Sequence, residues 1–249
     1  MAQNPEIEFV IKNLSTYDGM KLEERTFAQL LNYHGELQDY KLDIMTSPEE
    51  TDEIRPVVIF LHGGGFVQPC DKRQVYVPMF AQGLTKAGYV VIAPDYPVYD
   101  NEDERNAKAG PDMGAARAAE AVHLVYQYII DHARELKVDP ERIAIMGGSA
   151  GGFTAFYLLS HYNDQFRAFG NCWGSPFYEL DLTGFPPTIS IHGTADKAVN
   201  YAYEAPIQEK FEKLGIPHEL ITLEGEPHTP LACYDIFMPK VLDWMKKYL

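Results

Sequence analysis

From residue 56 onward, short runs rich in valine and isoleucine alternate with longer stretches of helical periodicity, and few architectures accept that order. The strand-like runs span 56–61, 89–93, 142–146, 167–173, 187–191 and 218–223. They are short and rich in valine and isoleucine, as strands buried on both faces should be. The clearest helix is predicted over 111–136, where Ala118, Val122, Val125, Ile129 and Ala133 recur every three or four residues and Pro111 suits a first turn. Strands and helices in alternation predict a mostly parallel central sheet with helices on both faces. The first 50 residues differ. Asp18-Gly19 and His34-Gly35 read as turns between strand-like pieces such as 7–11 and 40–45, which predicts antiparallel strands at one sheet edge. No repeat, low-complexity tract or linker interrupts 1–249, so one domain is expected.

Charge and composition exclude several functions. Acidic residues number 36 against 21 basic ones, a formal net charge of −15. That balance repels phosphate backbones and anionic lipid, so neither nucleic acid nor a membrane surface is an expected partner. The apolar runs, such as 57–61, fall far below the roughly 18 residues of a membrane span. Pro5, Glu6 and Glu8 stand where a secretory signal needs a basic start and an apolar stretch. Cys70, Cys172 and Cys233 are an odd and scattered set, unlike a disulfide framework or a zinc site. A soluble, cytoplasmic chain is the expectation.

The chemistry gathers where strands end. Gly147-Gly148-Ser149-Ala150-Gly151 follows one predicted strand and opens a helical stretch over 153–159. In that context a GxSxG turn holds serine on a strained backbone at the top of the sheet, as an exposed nucleophile. The alternative is a glycine-rich turn with an incidental serine, for which the composition gives a chance count of about 0.03 in the whole chain. His62-Gly63-Gly64-Gly65-Phe66 follows another buried strand. It matches neither phosphate-binding glycine motif. Its backbone N–H groups are suited instead to an oxygen that becomes negative during acyl transfer, with His62 as a loop-orienting residue.

A serine nucleophile needs a base, and the base needs an orienting carboxylate. For this elbow the order along the chain is serine, acid, histidine, so the base comes late. His218 begins a predicted strand, whereas His228 lies just past that strand's end, on the rim where open α/β sheets build their sites. By the same test Asp196 follows a strand while Asp181 precedes it; Glu224 and Glu226 are alternative acids. Segments 62–65, 147–151, 192–196 and 225–228 thus fall together on one rim and supply every part of an acyl-transfer site.

With these motifs the chain resembles the α/β-hydrolase superfamily, and within it the HGGGF-type carboxylesterases, similar to the hormone-sensitive-lipase-like and small feruloyl or acetyl esterase branch. Ala93-Pro94-Asp95-Tyr96, Val138-Asp139-Pro140-Glu141-Arg142-Ile143 and His192-Gly193-Thr194-Ala195-Asp196 extend the likeness. The resemblance implies Ser149 as nucleophile, His228 as base, Asp196 as acid and the N–H groups of Gly64, Gly65 and Ala150 as the oxyanion hole. Three departures favour its small-esterase branch: Pro97 in place of an arginine after Tyr96, the loop Val67-Gln68-Pro69-Cys70, and an acid in HGTAD instead of DPLxDE.

Only 13 residues separate the predicted strands ending at Trp173 and starting at Pro187, too few for a helical cap. The stretch 97–110, with its acidic run at 100–104, reads as a solvated loop or as a flap over the site. Phe66, Tyr96, Trp173 and Phe177 are candidates to line the acyl pocket or to pack in the core. The expected function is hydrolysis of a small-molecule, short-chain ester, on acetylated or feruloylated carbohydrate among the options, with no metal or organic cofactor. Rivals are an arylformamidase or peptidase with the same triad, and a catalytically silent binding module.

Overall fold

The computed structural model describes residues 17–107, 110–176 and 180–249. Eight strands form one sheet: β1 (Lys21–Leu31), β2 (Leu37–Thr46), β3 (Arg55–Leu61), β4 (Val90–Pro94), β5 (Val138–Gly148), β6 (Ala168–Cys172), β7 (Thr188–Gly193) and β8 (His218–Leu223). Their spatial order is β1-β2-β4-β3-β5-β6-β7-β8. The first two pairings, β1 with β2 and β2 with β4, are antiparallel, and the pairings from β4 to β8 are parallel. The helices are α1 (Tyr76–Lys86), α2 (Glu102–Ala107), α3 (Gly110–Leu136), α4 (Ala150–His161), α5 (Glu204–Leu214) and α6 (Tyr234–Tyr248). None of the described helices is long and apolar enough to cross a membrane. This is the α/β-hydrolase fold.

Period-two side-chain alternation divides the core in two. On β3, Val58 and Phe60 face α1 and α6 and join Phe80, Phe237 and Met245; Val57, Ile59 and Leu61 face the opposite layer and join Val125 of α3, Phe156 of α4 and Phe211 of α5. Every residue named in that sentence is fully buried, and each large one contributes roughly 1.5–3 kcal/mol by leaving water. The middle of β3 and the whole of β4 are therefore apolar at consecutive positions. α3 buries the predicted stripe Ala118, Val122, Val125 and Ile129 and ends where Lys137 turns to φ 53°, a left-handed stop.

The antiparallel edge forms as expected, with a shifted register of elements. The turn at His34-Gly35 joins β1 to β2, with Asn32 Oδ1 accepting from the N–H groups of His34 (2.9 Å) and Glu36 (3.0 Å). Asp18-Gly19 turns the chain into β1. The run at 7–11 lies outside the described residues. β1 lies between the two predicted turns; as an edge strand it is mostly exposed and carries no apolar signature to fix its bounds. Within 97–110 the chain winds into the six-residue helix α2.

Candidate active site

β5 ends at Gly148 and α4 begins at Ala150, leaving Ser149 alone at the corner. Its backbone has φ 53° and ψ −118°, a conformation that costs an L residue about 1–3 kcal/mol and persists only when the surroundings impose it. Here Ser149 N donates to the Cys172 carbonyl at 2.9 Å, and its own carbonyl accepts from Phe153 N at 3.1 Å. The turn is this sharp because α4 starts against the end of β3. A Cβ at Gly151 would lie 2.3 Å from the Leu61 carbonyl oxygen and 2.6 Å from that of His62. Both obstacles are backbone and cannot swing aside, so Gly151→Ala should lower stability by about 3 kcal/mol or more. Urea denaturation checks this; a loss under about 1 kcal/mol would show that the helix can slide away from the strand.

The structure brings Ser149, His228 and Asp196 together. His228 Nε2 stands 3.0 Å from Ser149 Oγ, and its Nδ1 stands 2.7 Å from Asp196 Oδ2. The Asp196 side chain is fully buried, and its Oδ1 accepts from the N–H groups of Ala198 (2.8 Å) and Val199 (2.9 Å). The loops after β7 and β8 are stitched to each other by Ala195 N to the Glu226 carbonyl (3.0 Å) and Gly225 N to Thr194 Oγ1 (2.8 Å). That fixes acid and histidine as one unit. Glu224 meets Thr194 Oγ1 at 3.2 Å, and Glu226 offers its backbone oxygen to Ala195. His218 lies at the opposite end of β8, paired in register with Thr188, with Nδ1 2.8 Å from the Ile216 carbonyl.

The loop after β3 is built around a buried histidine. The His62 ring stacks on Tyr96 with centroids 4.1 Å apart, and its Nδ1 stands 2.9 Å from the Gly63 carbonyl. Burial pushes the imidazole below its ordinary pKa, against a smaller upward pull from that carbonyl. Neutral His62 therefore keeps its proton on Nδ1 as donor. The Gly63 carbonyl and the Gly64 N–H belong to one peptide group, so the bond polarises the Gly64 N–H. Gln74 Oε1 accepts from Gly63 N at 2.9 Å, and Arg105 Nη1 donates to the Gly65 carbonyl at 2.7 Å. Gly64 has φ 98°, and a Cβ there would meet Cys70 Sγ at 1.9 Å, so only glycine holds this path. Ala150 opens α4, where the first N–H groups have no partner within the helix.

Gly64, Gly65, Ala150, Ser149 and His228 line a single cavity of about 650 Å³. Its remaining walls are Phe66, Gln74, Val75, Tyr76, Phe153, Ala198, Val199 and Thr229, with Glu102 and Arg105 of α2 at one side. Of the four aromatic candidates, Phe66 is in the wall. Tyr96 is not: it lies beneath the loop, stacked on His62, with its hydroxyl on the His62 carbonyl. Trp173 is not either: it is fully buried in the core, edge-on to Tyr76 at 5.6 Å. Phe177 falls outside the described residues. Sequence reasoning missed Phe153, which its place one turn after Ser149 could have revealed. Tyr76 and Val75 come from the start of α1 and carry no motif. The metal-ligating groups that come together among the described residues, His34, Asp100 and Glu104, lie outside this cavity.

Residues 42–172 match the family model described as BD-FAE. Hormone-sensitive lipase of Mus musculus is 28% identical over 144 residues, 57% of this chain and 17% of that protein. Esterase LipI of Mycobacterium tuberculosis is 27% identical over 144 residues, 58% of this chain and 38% of that protein. This chain thus spans well under half the length of either relative. Among solved structures, apo Thermogutta terrifontis esterase 2 superposes with a TM-score of 0.73 at 21% identity, covering 93% of this chain and 96% of that one. The same esterase has been solved with propionate bound and phosphorylated by paraoxon.

Proposed function

The chain belongs to the BD-FAE family, and we propose that it is a serine carboxylesterase hydrolysing short-chain acyl esters through a covalent acyl-enzyme. The observation that carries this reading is the hydrogen-bonded chain Ser149–His228–Asp196, with links of 3.0 and 2.7 Å, opening into a cavity shared with Gly64, Gly65 and Ala150. Ser149 Oγ attacks the ester carbonyl carbon while its proton passes to His228 Nε2, and Asp196 Oδ2 supports the imidazolium through Nδ1. The carbonyl oxygen becomes negative and is met by the N–H groups of Gly64, Gly65 and Ala150. Collapse breaks the bond to the alcohol, which leaves with the proton from His228. Water then attacks the acyl-serine, giving His228 a proton that returns to Ser149 as the acid departs. Every step uses a side chain or amide of this chain, and none calls for a metal or an organic cofactor.

The acyl preference follows from the walls. The apolar part of the wall of the 650 Å³ cavity comes from Phe66, Val75, Tyr76 and Phe153, and it is against these side chains that we place a short acyl group. Each methylene that finds a wall gains about 0.8 kcal/mol, and one left in water gains almost nothing. The relative with propionate bound supports the same size range. In kcat/KM for p-nitrophenyl esters of increasing acyl length, the maximum is expected between acetyl and butyryl. A maximum at decanoyl would overturn the short-chain reading. Acetylated xylan, methyl ferulate and N-formylkynurenine in the same assay separate the carbohydrate-ester reading from an arylformamidase. If none of these substrates turns over and a fluorophosphonate leaves Ser149 unlabelled, the chain is a binding module instead.

A further inference from the structure

Behind Asp196 lies a second histidine that the reaction above does not use. His192, on β7, is fully buried, and its ring is surrounded by acceptors. Nδ1 stands 2.8 Å from Glu204 Oε1, while Nε2 stands 2.9 Å from the Val199 carbonyl and 3.1 Å from Asp196 Oδ2. A neutral imidazole has a single N–H, so at one end it would turn a lone pair onto oxygen. The contacts are all satisfied when the pair His192–Glu204 carries one proton between Nδ1 and Oε1 and a second hydrogen on Nε2 points at Asp196 and Val199. Burial alone would push the imidazole pKa down; the Glu204 hydrogen bond and charge, with Val199 and Asp196, carry it above the ordinary value. Glu204 is 1% exposed and is held on its other sides by Gln208 Nε2 (3.0 Å) and Asn171 Nδ2 (3.3 Å). Among the described residues the Tyr201 phenol ring also stands against it, edge-on at 5.6 Å. Glu102 and Arg105 share the cavity with His228.

We propose that His192 and Glu204 are a positioning pair for the triad, locking the Asp196 carboxylate and moderating how strongly it holds a proton on His228. The inference rests on the Ser149–His228–Asp196 reading of the preceding subsection. Asp196 Oδ2 takes a donor from each histidine, at 2.7 and 3.1 Å, and Oδ1 takes two backbone N–H groups, so the carboxylate has no free rotation. A positive imidazole beside Oδ2 also offsets part of the negative charge that draws a proton onto His228. Glu204 is what keeps that positive charge in a buried place.

Glu204→Gln keeps the shape and removes the charge, leaving His192 neutral. The test is a histidine 15N NMR titration of the full chain, wild type and Glu204→Gln, from about pH 5 to 9, with p-nitrophenyl acetate turnover measured on the same samples. In the wild type both ring nitrogens of His192 are expected to be protonated near neutral pH. In the variant one becomes unprotonated, and the His228 midpoint moves upward by about half a unit to one unit. The acidic limb of kcat/KM should follow that midpoint, a change that loss of structure alone does not produce. A singly protonated His192 in the wild type, or an unmoved His228 midpoint in the variant, overturns the proposal. Should the variant fail to fold, the wild-type ring state still decides. If the NMR behaves as expected and no ester turns over, the hydrolase reading fails and the electrostatic pairing stands.

Discussion

Ser149→Ala is expected to remove ester turnover, with kcat falling by about 10⁴-fold or more while the circular dichroism spectrum stays that of the wild type. The size follows from what remains. Without Oγ there is no acyl-enzyme, and His228 and the loop amides can only assist direct attack by water, the residual catalysis seen when a triad loses its nucleophile. The fold loses little. The hydroxyl makes one bond, to His228 at 3.0 Å, and the backbone bonds that hold the elbow, from Ser149 N and to its carbonyl, do not depend on the side chain. Steady-state assay and single-turnover kinetics check the effect. Turnover above a tenth of wild type with an unchanged fold would sink the nucleophile assignment.

The second large effect separates two histidines ten residues apart. His228→Ala should be nearly as damaging as Ser149→Ala, because the two act as one unit: without the imidazole the serine keeps its proton, and the leaving alcohol has no donor. His218→Ala should stay within about twofold of wild type in kcat/KM. Its Nδ1 contact to the Ile216 carbonyl and its ring beside Phe211 at 5.9 Å lie at the start of β8, a full strand's length from Ser149. The opposite ranking would place the working rim at the wrong end of the sheet. Labelling with a fluorophosphonate reports the same order, with Ser149 in His228→Ala reacting slowly.

How these pairs behave also shows what was legible in the chain alone. Strands β3 and β4 are the most legible because a parallel strand covered on both faces tolerates apolar residues at each position, and 57–61 and 90–93 are such runs. The bounds of β1 are not legible for the converse reason: mostly in solvent at the edge, its residues Lys21, Glu23, Glu24 and Arg25 face ion partners and carry no period that marks a strand. The 97–110 stretch reads as loop because α2, six residues long, buries none of its side chains and leaves no helical stripe.

The sequence by itself determined the mostly parallel sheet, the corner at Ser149, and the positions of Asp196 and His228 just past the ends of β7 and β8. These are local consequences: burial dictates apolar runs, and a corner closed against Leu61 and His62 demands glycine at Gly151. Only the tertiary structure decided which side chains surround the reacting atoms. Trp173 and Tyr96 sit beside strand ends as Phe66 does, yet packing against Tyr76 and Phe80 takes one into the core and stacking on His62 takes the other, so Phe66 alone of the three reaches the cavity. Tyr76 enters from α1 and Arg105 from α2 without a motif, and Glu204 meets His192 across twelve residues because the chain brings the first residue of α5 back against β7. Spacing along a chain encodes neighbours within an element; contacts between elements depend on how helices settle on the sheet, and that is a property of the whole fold.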